Sequence, residues 1–228
     1  MQFKLKNINK SYSNNSSGNR EVLSDLSLEI AKGESIAIVG PSGSGKTTLL
    51  NLLGLMDKPD SGNILFEDKE ITSFTKKEEL VFRNSEIGFV FQLHHLLPQC
   101  SIMENILIPT LPNKIMLKEA NSKAENLMRK LGIWELRFQK PAEISVGECQ
   151  RAAIARALIN SPSVILADEP SGSLDDNNAM ELGKLLVELN RNEGITLVVV
   201  THSMKFAKLM DKIYSFEDSK LQLMESKS

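Results

Sequence analysis

The sequence predicts an α/β fold, with a largely parallel sheet interrupted by a helical insert, on three observations. Short β-branched runs alternate with helical patterns along most of the chain, as α/β architecture requires. The runs IGFVF (87–91), SVILAD (163–168) and ITLVVVTH (195–202) are apolar almost throughout. Strands that uniform are buried on both faces, as in a parallel sheet. Between residues 92 and 160 the character turns mostly helical. One domain is therefore expected over 1–228, with a sheet core at 1–91 and 160–228 and a helical subdomain at 92–159.

From the N-terminus, FKLKNI (from residue 3), EVLSDLSLEI (from 21) and SIAIVG (35–40) read as the early strands. SNNSSGN (13–19) is a polar, turn-rich loop. SGNILFED, with Gly62 near its start, alternates as a strand does. Leu117, Ala120, Ala124, Leu127 and Leu131 recur at three- and four-residue steps, one face of an amphipathic helix. Met180, Leu182, Leu185, Leu186 and Leu189 make another, which Gly194 stops.

Composition narrows the function classes. With 228 residues, 41% hydrophobic and 25% charged, the chain has an ordinary globular profile and room for one sizeable core. A net charge of −2 offers no broad attraction to nucleic acid, which is not an expected partner. Cys100 and Cys149 make no disulfide framework, so a reducing compartment is expected. MQFKLKNINK alternates without an apolar core segment and is not expected to act as a signal peptide. The longest apolar runs, such as LVVV near residue 198, are too short to span a bilayer. Work at a membrane would need another chain to supply the spanning helices.

GPSGSGKT (40–47) fits G-x-x-x-x-G-K-[ST] directly after one strand and directly before the helical run TLLNLLGL, the context of a phosphate-binding P-loop. Gly40, Pro41, Ser42, Gly43, Ser44, Gly45 and Thr48 belong to this nucleotide-binding stretch, which by itself leaves kinases, GTPases and motor ATPases open. Its glycines let backbone N–H groups curl around phosphate, and the following helix points its N-terminus there. Lys46 adds a positive charge for the β- and γ-phosphates, and the Thr47 hydroxyl is a ligand for Mg²⁺. VILADE (164–169) then ends a buried strand in Asp168, at the sheet edge where such folds bind ligands. Asp168 holds Mg²⁺ through water in this reading, and Glu169 polarises an attacking water. N-K-x-D and D-x-x-G are both absent, which argues against a GTPase.

The P-loop, FQLHHLLP, ISVGECQR, ILADEPSGSLD and VVVTHS, in that order, resemble the ATP-binding subunits of ABC transporters over nearly the whole chain. The resemblance implies a P-loop NTPase core with a mixed, largely parallel sheet, an antiparallel N-terminal β portion and an inserted helical subdomain. It also implies that Tyr12 stacks on adenine, that Gln92 reaches Mg²⁺ and the attacking water, and that His202 contacts the γ-phosphate. Ser173, Leu174 and Asp175 match the loop that crosses the family's dimer interface. Ser145, Gly147 and Glu148 match the element that acts on ATP held by the opposing subunit. From the residues alone, Ser145 and Glu148 form a capping box, and a capped helix N-terminus offers N–H groups to an anion.

Implied partners are ATP, a second ATPase subunit in a head-to-tail homodimer, and a transmembrane permease. The implied location is peripheral, on the cytoplasmic face of the inner (plasma) membrane. RNSEIGFVFQLHHLLPQCSIMENILIP (83–109) is similar to the branch serving lipoprotein release, macrolide or peptide export and cell division, HHLLP being nearest the lipoprotein-releasing type. Leu96 and Leu97 are candidates for the permease-facing groove. Two departures stand out, Val146 where the family has glycine and Cys149 where it commonly has glutamine. A β-branched residue at 146 requires ordinary helical or extended backbone. His94 and His95, read as adjacent strand residues facing opposite ways, are not expected to bind metal. A soluble ABC-type ATPase of DNA repair or the ribosome is the alternative, though the chain lacks the coiled coils or second ATPase domain of those proteins.

Overall fold

The computed structural model describes residues 1–14, 18–112 and 117–227. Its strands are β1 (Phe3–Asn14), β2 (Gly18–Ile30), β3 (Ser35–Val39), β4 (Ser61–Phe66), β5 (Lys69–Glu70) and β6 (Ile87–Phe91). They continue with β7 (Val164–Asp168), β8 (Thr196–Val200), β9 (Lys212–Glu217) and β10 (Lys220–Ser226). The helices are α1 (Lys46–Leu53), α2 (Lys76–Ser85), α3 (Ile102–Leu107) and α4 (Leu117–Lys130). After them come α5 (Val146–Leu158), α6 (Asp176–Glu193) and α7 (Met204–Ala207).

Two sheets form. The first is four-stranded, in the order β2-β1-β4-β5, and antiparallel. The second has the order β10-β9-β3-β8-β7-β6, parallel from β9 to β6 with β10 antiparallel on one edge. In β3, β7 and β8 alternate residues enter different cores, which is why these segments are apolar at every position. Val39, Ala167 and Val199 pack with the helices α3 to α7, whereas Ile38, Leu166 and Val200 pack with α1 and the antiparallel sheet.

The expected helix faces are buried as the periodicity requires. In α4, Ala120, Ala124 and Met128 are buried, and Leu127 is partly so. Helix α6 buries Leu182, Leu186 and Leu189 and ends at Gly194 with φ 67°, a left-handed stop. Two expectations change. The polar stretch 13–19 is strand at Ser13 and Asn14 and again from Gly18, and residues 15–17 lie outside the described residues. His94 and His95 lie in a loop beyond β6 rather than on a strand, and His95 has φ 49°. The hairpin β9–β10 and the helix α2 are not foreseen by the apolar patterns of the chain. Among the described residues, no helix is long and apolar enough to cross a membrane.

Candidate active site

Strand β3 runs straight into the glycine-rich loop, and α1 begins at Lys46. Lys46 is buried, and its ammonium donates to the carbonyls of Gly40 at 2.8 Å and Pro41 at 2.7 Å, with the Ser44 hydroxyl at 3.5 Å. Gly45 has φ 119°, and a Cβ there would come within 2.7 Å of Val22. Only glycine fits that position. No side chain caps α1, so its first N–H groups stay available to an anion.

Two adjoining clefts share Gly43, Lys46 and Thr47. One, about 420 Å³, is walled by Tyr12, Arg20, Val22 and Thr48. The other, about 480 Å³, contains Gly40, Ser42, Gln92, Asp168, Glu169 and His202. Every residue expected at the chain's own ATP thus lies in these clefts or in the loop between them.

Asp168 ends β7 half-buried. Burial pushes its carboxyl up, the Thr47 hydroxyl pulls it down, the neighbouring Glu169 raises it and Lys46 lowers it, with a net upward shift. Glu169 follows with φ 47°, a backbone state that costs free energy in a non-glycine residue. Its N–H is tied to the Val200 carbonyl at 2.9 Å. Its Oε2 lies 3.0 Å from His202 Nδ1 and accepts from the His202 backbone N–H at 3.3 Å. Gln92 is exposed beyond β6, and a Cβ at Gly172 would come within 2.7 Å of its Nε2. The Ser173 hydroxyl donates to the Gln92 carbonyl at 3.3 Å.

On the other side, Tyr12 donates its hydroxyl to Asp57 Oδ2 at 2.7 Å, leaving the residue 41% exposed. Lys10 donates to Asp57 Oδ1 at 2.9 Å and stands over the tyrosine ring. Burial works against the Asp57 carboxylate, but Lys10, Tyr12 and the Lys58 backbone N–H outweigh it and hold its pKa below the usual value.

Ser145, Gly147, Glu148 and Asp175 line neither cleft. Ser145 caps α5: its hydroxyl accepts from the Glu148 N–H at 3.3 Å, while its own N–H donates to Glu148 Oε2 at 2.8 Å. The serine hydroxyl and backbone together hold the Glu148 carboxyl below its ordinary range. Val146 is the first helical residue and is 48% exposed. A Cβ at Gly147 would meet only the Leu174 side chain, at 4.0 Å. Asp175 caps α6 by accepting from Asn177 and Asn178. Cys149 is buried, and burial raises its thiol pKa, as befits a packing residue.

Two neighbours escape sequence reading, and a third, Gln150, fits the family's motif without its contact being legible there. Arg20 and Asp57 approach Tyr12 and the P-loop only through tertiary structure. Gln150, wholly buried on α5, donates Nε2 to the Phe91 carbonyl at 2.9 Å, immediately before Gln92. Its only local signal is its place in ISVGECQR. Leu96 is buried and Leu97 exposed, so of this pair Leu97 is the one presented to solvent. Among the described residues no three His, Cys, Asp or Glu side chains cluster as a metal site.

The ABC transporter family model matches residues 23–172. The chain is 45% identical to the lipoprotein-releasing system ATP-binding protein LolD of Bacteroides thetaiotaomicron, over 96% of this chain and 99% of that one. It is 43% identical to LolD of Legionella pneumophila (strain Paris), over 90% of each. A bacterial ABC transporter cassette solved as a dimer superposes with a TM-score of 0.90 at 35% identity, covering 98% of both chains. The same cassette in a post-hydrolysis state bound to ADP and Pi gives 0.90 at 34%, again over 98% of both chains. The chain belongs to the ABC transporter family, as one of its ATP-binding, ATP-hydrolysing subunits.

Proposed function

We propose that this subunit drives a lipoprotein-releasing permease, as a homodimer on the cytoplasmic face of the plasma membrane. Support for the substrate class comes from near-full-length similarity to LolD proteins. We read 1–228 as one cassette, with the sheet core at 1–91 and 160–228 and the helical subdomain at 92–159.

The observation that carries the chemistry is one cleft containing Lys46, Gln92, Asp168, Glu169 and His202. Tyr12 takes the adenine, and Gly40 to Thr48 take the phosphates. Thr47, Gln92 and Asp168 offer a hydroxyl, an amide oxygen and a carboxylate, a hard-oxygen set suited to Mg²⁺ that phosphate oxygens would complete. When bound, that ion neutralises phosphate charge. Glu169 accepts a proton from the attacking water as the water oxygen bonds to the γ-phosphorus. The bond from that phosphorus to the β–γ bridging oxygen breaks, releasing ADP and phosphate. His202, beside Glu169, hydrogen-bonds the γ-phosphate. Ser145, Gly147, Glu148 and Asp175, lying outside this cleft, serve the ATP of the opposing subunit. There the free N–H groups of α5 meet the γ-phosphate.

The test is Glu169→Gln. Its ATPase turnover should fall at least about 100-fold, the scale of general-base loss, while ATP drives the purified variant into a stable dimer. A variant that hydrolyses normally and stays monomeric with ATP would refute this mechanism. Co-purification with a permease and ATP-dependent release of a lipidated protein from vesicles test the substrate class.

A further inference from the structure

Arg20 stands directly opposite Tyr12 in the β1–β2 ladder, on the edge strand of the antiparallel sheet. Directly paired residues of antiparallel strands project to the same face. Both side chains accordingly wall one cleft, together with Lys46, Thr47 and Thr48. One Arg20 N–H, on Nη2, donates to the Gly43 carbonyl in the P-loop at 2.7 Å. A guanidinium carries five N–H donors, so most remain for a ligand.

The electrostatics around it are one-sided. Lys46, the cleft's other cation, donates to the neutral Gly40 and Pro41 carbonyls. Arg20 is exposed and, among the described residues, forms no ion pair with a carboxylate. It is a fixed, uncompensated cation, anchored on the loop that cradles phosphate, and guanidinium geometry matches phosphate oxygens. Its position also says which phosphates. The adjoining cleft, where Asp168, Glu169 and His202 gather, does not include Arg20.

We propose that Arg20 is a nucleotide-binding residue that grips the phosphates common to ATP and ADP, while bracing the P-loop through Gly43. This deepens the ATP-binding reading and rests on it. Arg20 therefore contributes equally to holding substrate and product, and does not discriminate between them.

Calorimetric titration of the full chain with MgADP, and with the non-hydrolysable Mg-AMPPNP, tests the assignment. Arg20→Ala should raise both Kd values by about fivefold to tenfold, as expected for an exposed charge-assisted contact. Its affinity should also depend less steeply on salt. Arg20→Gln retains an N–H for Gly43 without the charge, and should behave like Arg20→Ala. Arg20→Lys should recover part of the loss. Wild-type affinity in Arg20→Gln, an unchanged salt dependence, or a defect confined to the triphosphate would each overturn the proposal. If wild type binds neither nucleotide, the ATP-binding reading itself falls, a result distinct from tight binding that Arg20 substitution leaves unaltered.

Discussion

Asp168 illustrates how a single residue trades stability for chemistry. Burial raises its folded-state pKa above the unfolded value. The stability associated with its protonated form is complete below the unfolded pKa and is lost as pH rises through the folded one. Asp168→Asn should therefore raise the Tm of the nucleotide-free chain at neutral pH, and the advantage should shrink toward acid pH. Adding MgATP should narrow or reverse the difference, because wild type, with its Mg²⁺-side carboxylate intact, gains more from binding. A thermal melt at two pH values, with and without MgATP, checks both signs. Tyr12 and Asp57 supply a second test at this scale. If the Asp57 carboxylate fixes the ring through the tyrosine hydroxyl, Tyr12→Phe and Asp57→Ala release the same ring. Each should weaken nucleotide binding about threefold to tenfold, and the double variant should be no worse than the weaker single one. Additive losses in the titration would show that Asp57 acts elsewhere. Neither Arg20 nor Asp57 was legible in sequence, since Asp57 reaches Tyr12 across 45 positions.

Elements were legible in proportion to how burial writes them. Strands β3, β7 and β8 were found because both of their faces enter a core, which makes the run apolar. The hairpin β9–β10 escaped for the opposite reason: β10 is mostly exposed and polar, with Glu225 and Ser226 in its ladder. Helix α2 is likewise polar, burying only Phe82, and its capping box of Thr75 and Glu78 was its sole local signal. The start of α5 was legible in full, as the Ser145–Glu148 capping box forms with Val146 in ordinary helical geometry. The valine side chain faces solvent without altering the N–H groups at the helix start. Val146→Gly should consequently change ATPase turnover by less than about threefold, under ~1 kcal/mol of activation free energy. Glycine's conformational cost should lower stability by about 0.5 kcal/mol. A large gain in turnover would instead show that the valine restrains catalysis.

For the whole molecule, the arrangement divides labour between two cores on either side of one parallel sheet. The P-loop helix α1 and the antiparallel sheet pack on one side, and the helical insert packs on the other. The cleft residues come from both, Tyr12 and Lys46 from the first and Gln92 from the start of the second. Ser145→Ala should cost about 1 kcal/mol by uncapping α5. It should also weaken ATP-driven dimerisation of a Glu169→Gln background, measured by size-exclusion chromatography. Loss of stability with intact dimerisation would confine Ser145 to its structural role.

The bond from Gln150 to the Phe91 carbonyl has a mechanical consequence. In the proposed dimer it would tie the helix that carries Ser145 to the segment that carries Gln92. A shift of α5 that kept this bond would carry the Phe91 carbonyl, and with it the start of the Gln92 segment. In a paired assembly, each protomer would thereby report its own nucleotide state through the surface it lends to the other.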